Sequence, residues 1–147
     1  IFMELKMSEE DDLDFASGMS AFEAKHFSTA MRFLSPLAEK GNTEAMHRIA
    51  IMYQNGLGVG HDPEAAVKWM SQAAKEGHAV AQPGIGFMYM EGDGVDKDME
   101  AAVKWFTLAA EQGLAGSQTT LAMIYEEGNG VEKDPVKAKE WFAKAGF

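Results

Sequence analysis

Residues 89–105 read YMEGDGVDKDMEAAVKW, and the same pattern stands at 53–69 (YQNGLGVGHDPEAAVKW) and at 125–141 (YEEGNGVEKDPVKAKEW). The copies lie 36 residues apart without a gap. Tyr53, Tyr89 and Tyr125 share one register. Gly56/Gly92/Gly128 and Gly58/Gly94/Gly130 share two more. Val59/Val95/Val131, Asp62/Asp98/Asp134, Ala66/Ala102/Ala138 and Trp69/Trp105/Trp141 follow. A fixed period of this size means one supersecondary unit per repeat, stacked on its neighbours. Such chains offer extended surfaces more readily than closed reaction chambers.

Working outward from the Tyr, Ala45, Ile49, Met52 and Tyr53 fall at i, i+4, i+7 and i+8, one face of a helix. Asn42 is a good N-cap for it. The helix is expected to stop at Gly56, where a left-handed residue costs glycine little. Gly58 supplies a second permissive position, and Val59 is the one recurring apolar residue of the loop. Asp62-Pro63 then starts a second helix: Asp caps the free N–H groups and Pro suits the first helical position. Ala66, Trp69, Met70 and Ala73 form its inner face, and Gly77 ends it. Each repeat is therefore a helix–loop–helix hairpin, with small residues where helices approach and Tyr and Trp filling the space between pairs. The Trp spacing among alanines points to core, with about 3–5 kcal/mol expected for Trp105→Ala.

Repeats are expected at 42–77, 78–113 and 114–147. A fourth hairpin, 13–41, precedes them with a shorter loop: Gly18 and Ala30 are 12 apart, against 16 for Ala50 and Ala66. Pro36 inside its second helix is expected to bend it. Pro83-Gly84 is expected to make the first helix of the 78–113 repeat start poorly or kink. Residues 1–12 read as an N-terminal tail, disordered or vector-derived, ahead of a single repeat domain, 13–147. The run Glu9, Glu10, Asp11 and Asp12 would favour the start of the helix that follows.

Composition narrows the function. The chain has 147 residues and a net charge of −10. An acidic chain does not suit nucleic acid, whose phosphates need a basic footprint. No apolar run approaches the length of a membrane span. The absence of cysteine removes disulfides, thiolate metal sites and cysteine nucleophiles. His26, His47, His61 and His78 share no ligand spacing. The loop at Asp93 resembles a calcium loop only superficially: an EF-hand counted from Asp93 would place Val95 and Lys97 at ligand positions. No nucleophile elbow, P-loop or HExxH motif is present. Catalytic, metal and cofactor-binding residues are accordingly none.

At these residues the chain resembles the Sel1-like repeat proteins, relatives of the tetratricopeptide repeat, and bacterial members in particular. The match runs from about residue 42 to the end. The positions where that family often carries Tyr-Asn read His47-Arg48, Pro83-Gly84 and Thr119-Thr120 here. The resemblance implies an all-α superhelix, a solenoid of about four helical hairpins whose first helices line a concave groove. It implies a non-catalytic adaptor that binds a protein or peptide, and frequent export to the bacterial envelope. By analogy with tetratricopeptide units, the groove would be lined by Phe15 and Met19; by Glu44, His47, Ile51 and Gln54; by Val80, Pro83, Phe87 and Met90; and by Thr119, Met123 and Glu126. Apolar contacts would bind in the middle, with Asp12, Glu44 and Glu126 as an acidic rim. Two alternatives stay open. One is a structural or self-associating envelope component, pairing as a weak homodimer through a C-terminal end that carries Trp141, Phe142 and Phe147. The other is an enzyme with an unrecognised carboxylate site.

Overall fold

The computed structural model describes residues 7–147, which hold eight helices and no strand. They are α1 (Glu9–Glu23), α2 (Phe27–Glu39), α3 (Thr43–Asn55), α4 (Pro63–Lys75), α5 (Ala81–Glu91), α6 (Met99–Glu111), α7 (Ala115–Glu127) and α8 (Pro135–Lys144). The chain divides into two compact units, Ile1–Glu76 and Gly77–Phe147. In the first, α1 packs on α2, α2 on α3 and α3 on α4; in the second, α5 packs on α6, α6 on α7 and α7 on α8. The all-α hairpin repeat read from the 36-residue period is the fold observed.

The recurring loop works as its residue types require. Helices α3, α5 and α7 end on Gly56, Gly92 and Gly128, at φ of 64, 69 and 71°. This left-handed conformation is costly for a residue with a Cβ. Two consecutive N–H groups, of Gly128 and Asn129, then bond the Ile124 carbonyl, satisfying a helix-end acceptor. The next turn brings the Asp back: the N–H of Asp62, Asp98 and Asp134 donates to the carbonyl of Tyr53, Tyr89 and Tyr125, at 2.9 Å each time. Each Asp side chain accepts from an N–H of the helix it starts, that of Ala65, Ala101 or Lys137. Gly58 and Gly130 serve a second purpose. A Cβ on Gly58 would meet the backbone of Phe27 and Ser28 at the start of α2, and one on Gly130 would meet Met99 at the start of α6. The loop of one hairpin thus touches the preceding helix backbone to backbone.

The N-terminal stretch differs from the expected tail. Helix α1 begins at Glu9, and Ser8 and Asp11 form a reciprocal capping box, so the acidic run lies in the first helical turn. Residues 1–6 lie outside the described residues. Helix α2 runs unbroken through the exposed Pro36. The turn before it passes through Lys25 at φ 63°. Helix α5 starts two residues later than the repeat register of α3 and α7, and Pro83 is the reason. The ladder runs from Gln82 N–H to the His78 carbonyl, skips Pro83, and resumes from Gly84 N–H to the Val80 carbonyl. Pro has no N–H to give the intervening carbonyl.

The core follows the small-residue registers. Ala30, Ala66, Ala102 and Ala138 are buried, as are Gly18, Ala50, Gly86 and Ala122. The aromatic core is redistributed relative to the sequence reading. Trp69 is buried, but Trp105 and Trp141 are only half-buried. In the second unit the fully buried ring is Phe106, one residue on from the expected Trp105. Around it lie Val103, Leu121 and Ile124, with Tyr89, Met99, Tyr125, Val131 and Trp141 against their rim. Val131, the recurring apolar residue of the loop, thus packs against the edge of the core. The 3.6-residue turn puts Trp105 and Phe106 about 100° apart, and the face toward α7 takes the smaller, fully apolar ring.

Candidate functional site

The face offered by the first helices is built most openly in the second unit. Helix α5 carries Ile85, Gly86 and Met88 inward, so Phe87 is left outward. Its side chain is 43% exposed, and its ring meets Phe106 edge to face with centroids 4.9 Å apart. Gly86 permits that pairing, since a Cβ there would stand 3.1 Å from the Phe106 ring. Val80 and Met123 are also exposed, while Pro83 is half-buried. Met90, expected with them, turns partly inward onto the cluster around Phe106.

Pro83 and Phe87 form one wall of a pocket of about 370 Å³. Its other wall is the first turn of α7, supplied by Leu114, Ala115, Gly116, Ser117 and Thr120. No charged residue lines it. The sequence reading missed this second wall, although a signal was present. In the 36-residue register Leu114 stands where Asn42 caps α3, and Gly116 stands where Glu44 lies. The loss of a cap and of a side chain at one helix start is what opens the space. Thr119 belongs to the same turn but points its hydroxyl back, donating to the Ala115 carbonyl at 2.9 Å. Thr120 does likewise to the Gly116 carbonyl. Glu126 is not part of this pocket. It lines a separate depression of about 460 Å³ with Pro135, Lys139, Phe142, Ala143 and Phe147.

The first unit is less open. Phe15 and Met19 on α1 and Glu44, Ile51 and Gln54 on α3 are half-buried, and Asp12 is exposed. His47 corrects the sequence reading: it is buried, 9% exposed, rather than facing outward. Helix α3 packs on both α2 and α4, so its buried arc takes in Ala45, Met46 and His47 together. Glu44 is not a bare rim acid either. Its carboxylate accepts from Arg48 Nε at 2.8 Å. The same guanidinium lies 4.8 Å over the Phe22 ring and 3.5 Å from Glu23. Farther along this unit, Lys40 Nζ donates to Asp11 at 2.8 Å, joining the end of α2 to the start of α1. The Lys40 ammonium holds the Asp11 carboxyl below its ordinary value, and Asp11 raises the Lys40 ammonium in turn.

The sequence profile of the Sel1 repeat matches residues 43–78, 79–114 and 115–146. A Sel1 repeat protein from Oxalobacter formigenes, known by crystal structure, superposes with a TM-score of 0.85 at 34% identity, over 89% of this chain and 54% of its own. A second crystal structure is c5321, described as a protective antigen present in uropathogenic Escherichia coli strains displaying an SLR fold. It matches with a TM-score of 0.87 at 40% identity, over 92% of this chain and 30% of its own. The present chain therefore spans about half of the first and under a third of the second. Helicobacter pylori cysteine rich protein B shares the fold at 19% identity and a TM-score of 0.59, over 77% of this chain and 96% of its own. No curated protein matches the chain.

Proposed function

We propose that this chain, which belongs to the Sel1 repeat family, is a non-catalytic interaction module that takes a peptide or protein segment on the face of its first helices. Sel1 repeats generally mediate protein–protein interaction and form non-catalytic scaffolds. The finer reading rests on one observation. Phe87 keeps 43% of its surface exposed although it is seated on a fully buried Phe106 beside a concave pocket. An aromatic ring held rigid by a core partner, yet open on one side, loses little freedom on binding and suits an anchor contact. Met123 and Met90 add adaptable apolar surface in the same unit. In the first unit Phe15, Met19, Ile51 and Gln54 occupy the corresponding helix positions. Recognition of this kind reads alternate apolar side chains of a partner rather than charges.

The test is selection from a displayed peptide library against the wild-type chain and against Phe87→Asp. Sequences enriched on the wild type that bind Phe87→Asp equally well would refute the reading. Retention of binding by Val136→Asp, altered at a position on α8, controls for loss of general stickiness.

A second reading has its own observation. Val136 is 70% and Phe147 82% exposed, and Phe142 and Phe147 meet edge to face beside the depression at Glu126. Apolar groups so placed favour end-to-end association. Light scattering over a dilution series checks it, with Val136→Asp expected to abolish any dimer.

A further inference from the structure

We infer that the segment taken by the pocket between α5 and α7 carries a lysine or arginine two or three residues from its apolar anchor. This deepens, and rests on, the peptide-binding reading above. The anchor contact itself is apolar, since no charged residue lines the pocket. The charge lies where the same two helices end.

On α5, Pro83, Phe87 and Glu91 follow one another at four-residue steps. On α7, Thr120, Met123 and Glu127 follow at steps of three and four. Residues so spaced share one face of a helix. Each stripe thus passes from an uncharged pocket wall to an exposed glutamate. Phe87 and Glu91 are one turn apart, about 6 Å along the axis, and Thr120 and Glu127 are two turns apart, about 10 Å. An extended partner lying along the groove advances about 3.3 Å per residue. With one side chain anchored in the pocket, the residue two or three positions away stands opposite the glutamates.

The repeat itself does not call for an acid at this place. The 36-residue register puts Asn55 in α3 where Glu91 and Glu127 stand. Each glutamate is the last residue of its helix, and neither helix has a basic residue in its last turn. The macrodipole is negative there, so an acid is disfavoured and an added cation relieves it. Lys97 and Lys133 lie on the loops that follow, yet no ion pair engages Glu91 or Glu127 among the described residues. Helices α5 and α7 contain no lysine or arginine, and the lysines of this unit lie on the loops, α6 and α8. A basic segment running along the first helices therefore meets opposite charge without a like charge on either of them.

The test takes the library clones that bind the wild type and fail on Phe87→Asp. Lysine and arginine should be enriched two or three positions from an aromatic or large aliphatic residue. One such peptide, fluorescein-labelled, is titrated against the full chain by fluorescence anisotropy. Glu91→Lys combined with Glu127→Lys should weaken it about tenfold, two rim ion pairs being worth a few-fold each. Both sites are exposed helix ends that favour lysine, so the fold is not at stake. A peptide with glutamine in place of the basic residue should bind the wild type and the double variant alike. Raising salt from about 50 to about 500 mM should weaken the wild type several-fold and the double variant little. Glu111→Lys, at the last residue of α6, controls for general attraction to an acidic chain and should leave binding unchanged. No enrichment of basic residues, undiminished binding by the double variant, or an equal loss with Glu111→Lys would overturn the inference and leave the anchor reading standing. A library that yields no Phe87-dependent clone would take both down.

Discussion

A β-carbon placed on Gly58 would lie 2.4 Å from the carbonyl carbon of Phe27, so the loop after α3 and the first turn of α2 meet with no room between them. Gly58 also stands at φ 68°. Gly58→Ala therefore meets both backbone strain and a clash with main-chain atoms that cannot swing aside. A loss of about 3 kcal/mol is expected. Gly41 separates the two effects: its φ is 101° but nothing lies within 4 Å, so Gly41→Ala should cost about 1–2 kcal/mol from strain alone. Gly60, open and not in the left-handed region, should tolerate Ala within about 0.5 kcal/mol. Urea denaturation of the three variants ranks them. A Gly58→Ala protein no less stable than Gly41→Ala would show that the close approach is not strict.

Phe106→Ala should destabilise by about 3–5 kcal/mol, since the ring is fully buried and its removal leaves a cavity. Trp105→Ala should cost clearly less, because Trp105 is only partly buried. This reverses the order that the repeating Trp suggests. Equal losses in thermal or chemical melts would contradict the assignment of Phe106 as the central ring of the second unit.

Phe87→Asp should separate binding from stability. The side chain gives up one edge-to-face contact with Phe106, about 0.5–1.5 kcal/mol beyond area burial. The loss of peptide affinity should be at least tenfold, on the scale of an anchor residue. Parallel melts and binding isotherms decide. A variant that unfolds outright would show Phe87 to be a core residue instead.

The Asp11–Lys40 pair predicts a pH dependence with a definite sign. The Asp11 carboxyl is held below its ordinary 3.8, first by its hydrogen bond from Lys40. Its contribution is present above the unfolded value and is lost as pH falls through the lower, folded one. Lys40 is raised above 10.5, first by its bond to Asp11. Its contribution is present below that value and is lost as pH rises through the higher, folded one. The tie between α1 and α2 should thus persist across neutral pH and loosen at both extremes. Carboxyl NMR titration checks it: Lys40→Met should return the Asp11 midpoint toward 3.8, and added salt should do so in part.

Most of the architecture was legible in one period of sequence, because a glycine at positive φ, an Asp cap and a Pro at the first helical position are local decisions. Gly56, Gly92 and Gly128 end their helices where the pattern put them, and Asp62, Asp98 and Asp134 each start the next. What depends on neighbours was harder to read. The choice between Trp105 and Phe106 for the central position follows from how α6 rotates against α7. The burial of His47 follows from α3 being covered on two sides. The pocket was half legible: Pro83 and Phe87 came from helix phase, whereas Leu114 and Gly116 matter through what their register lacks. An analogy that assigns outward positions cannot register a missing cap.

The Asp-to-Tyr backbone bond seen at Asp62, Asp98 and Asp134 joins main-chain atoms nine residues apart inside a single hairpin loop. It asks nothing of side-chain identity beyond the turn itself. Copying or deleting one whole 36-residue block of gene would therefore carry its own fastening along. Evolution can adjust the length of such a protein in discrete steps, one hairpin at a time.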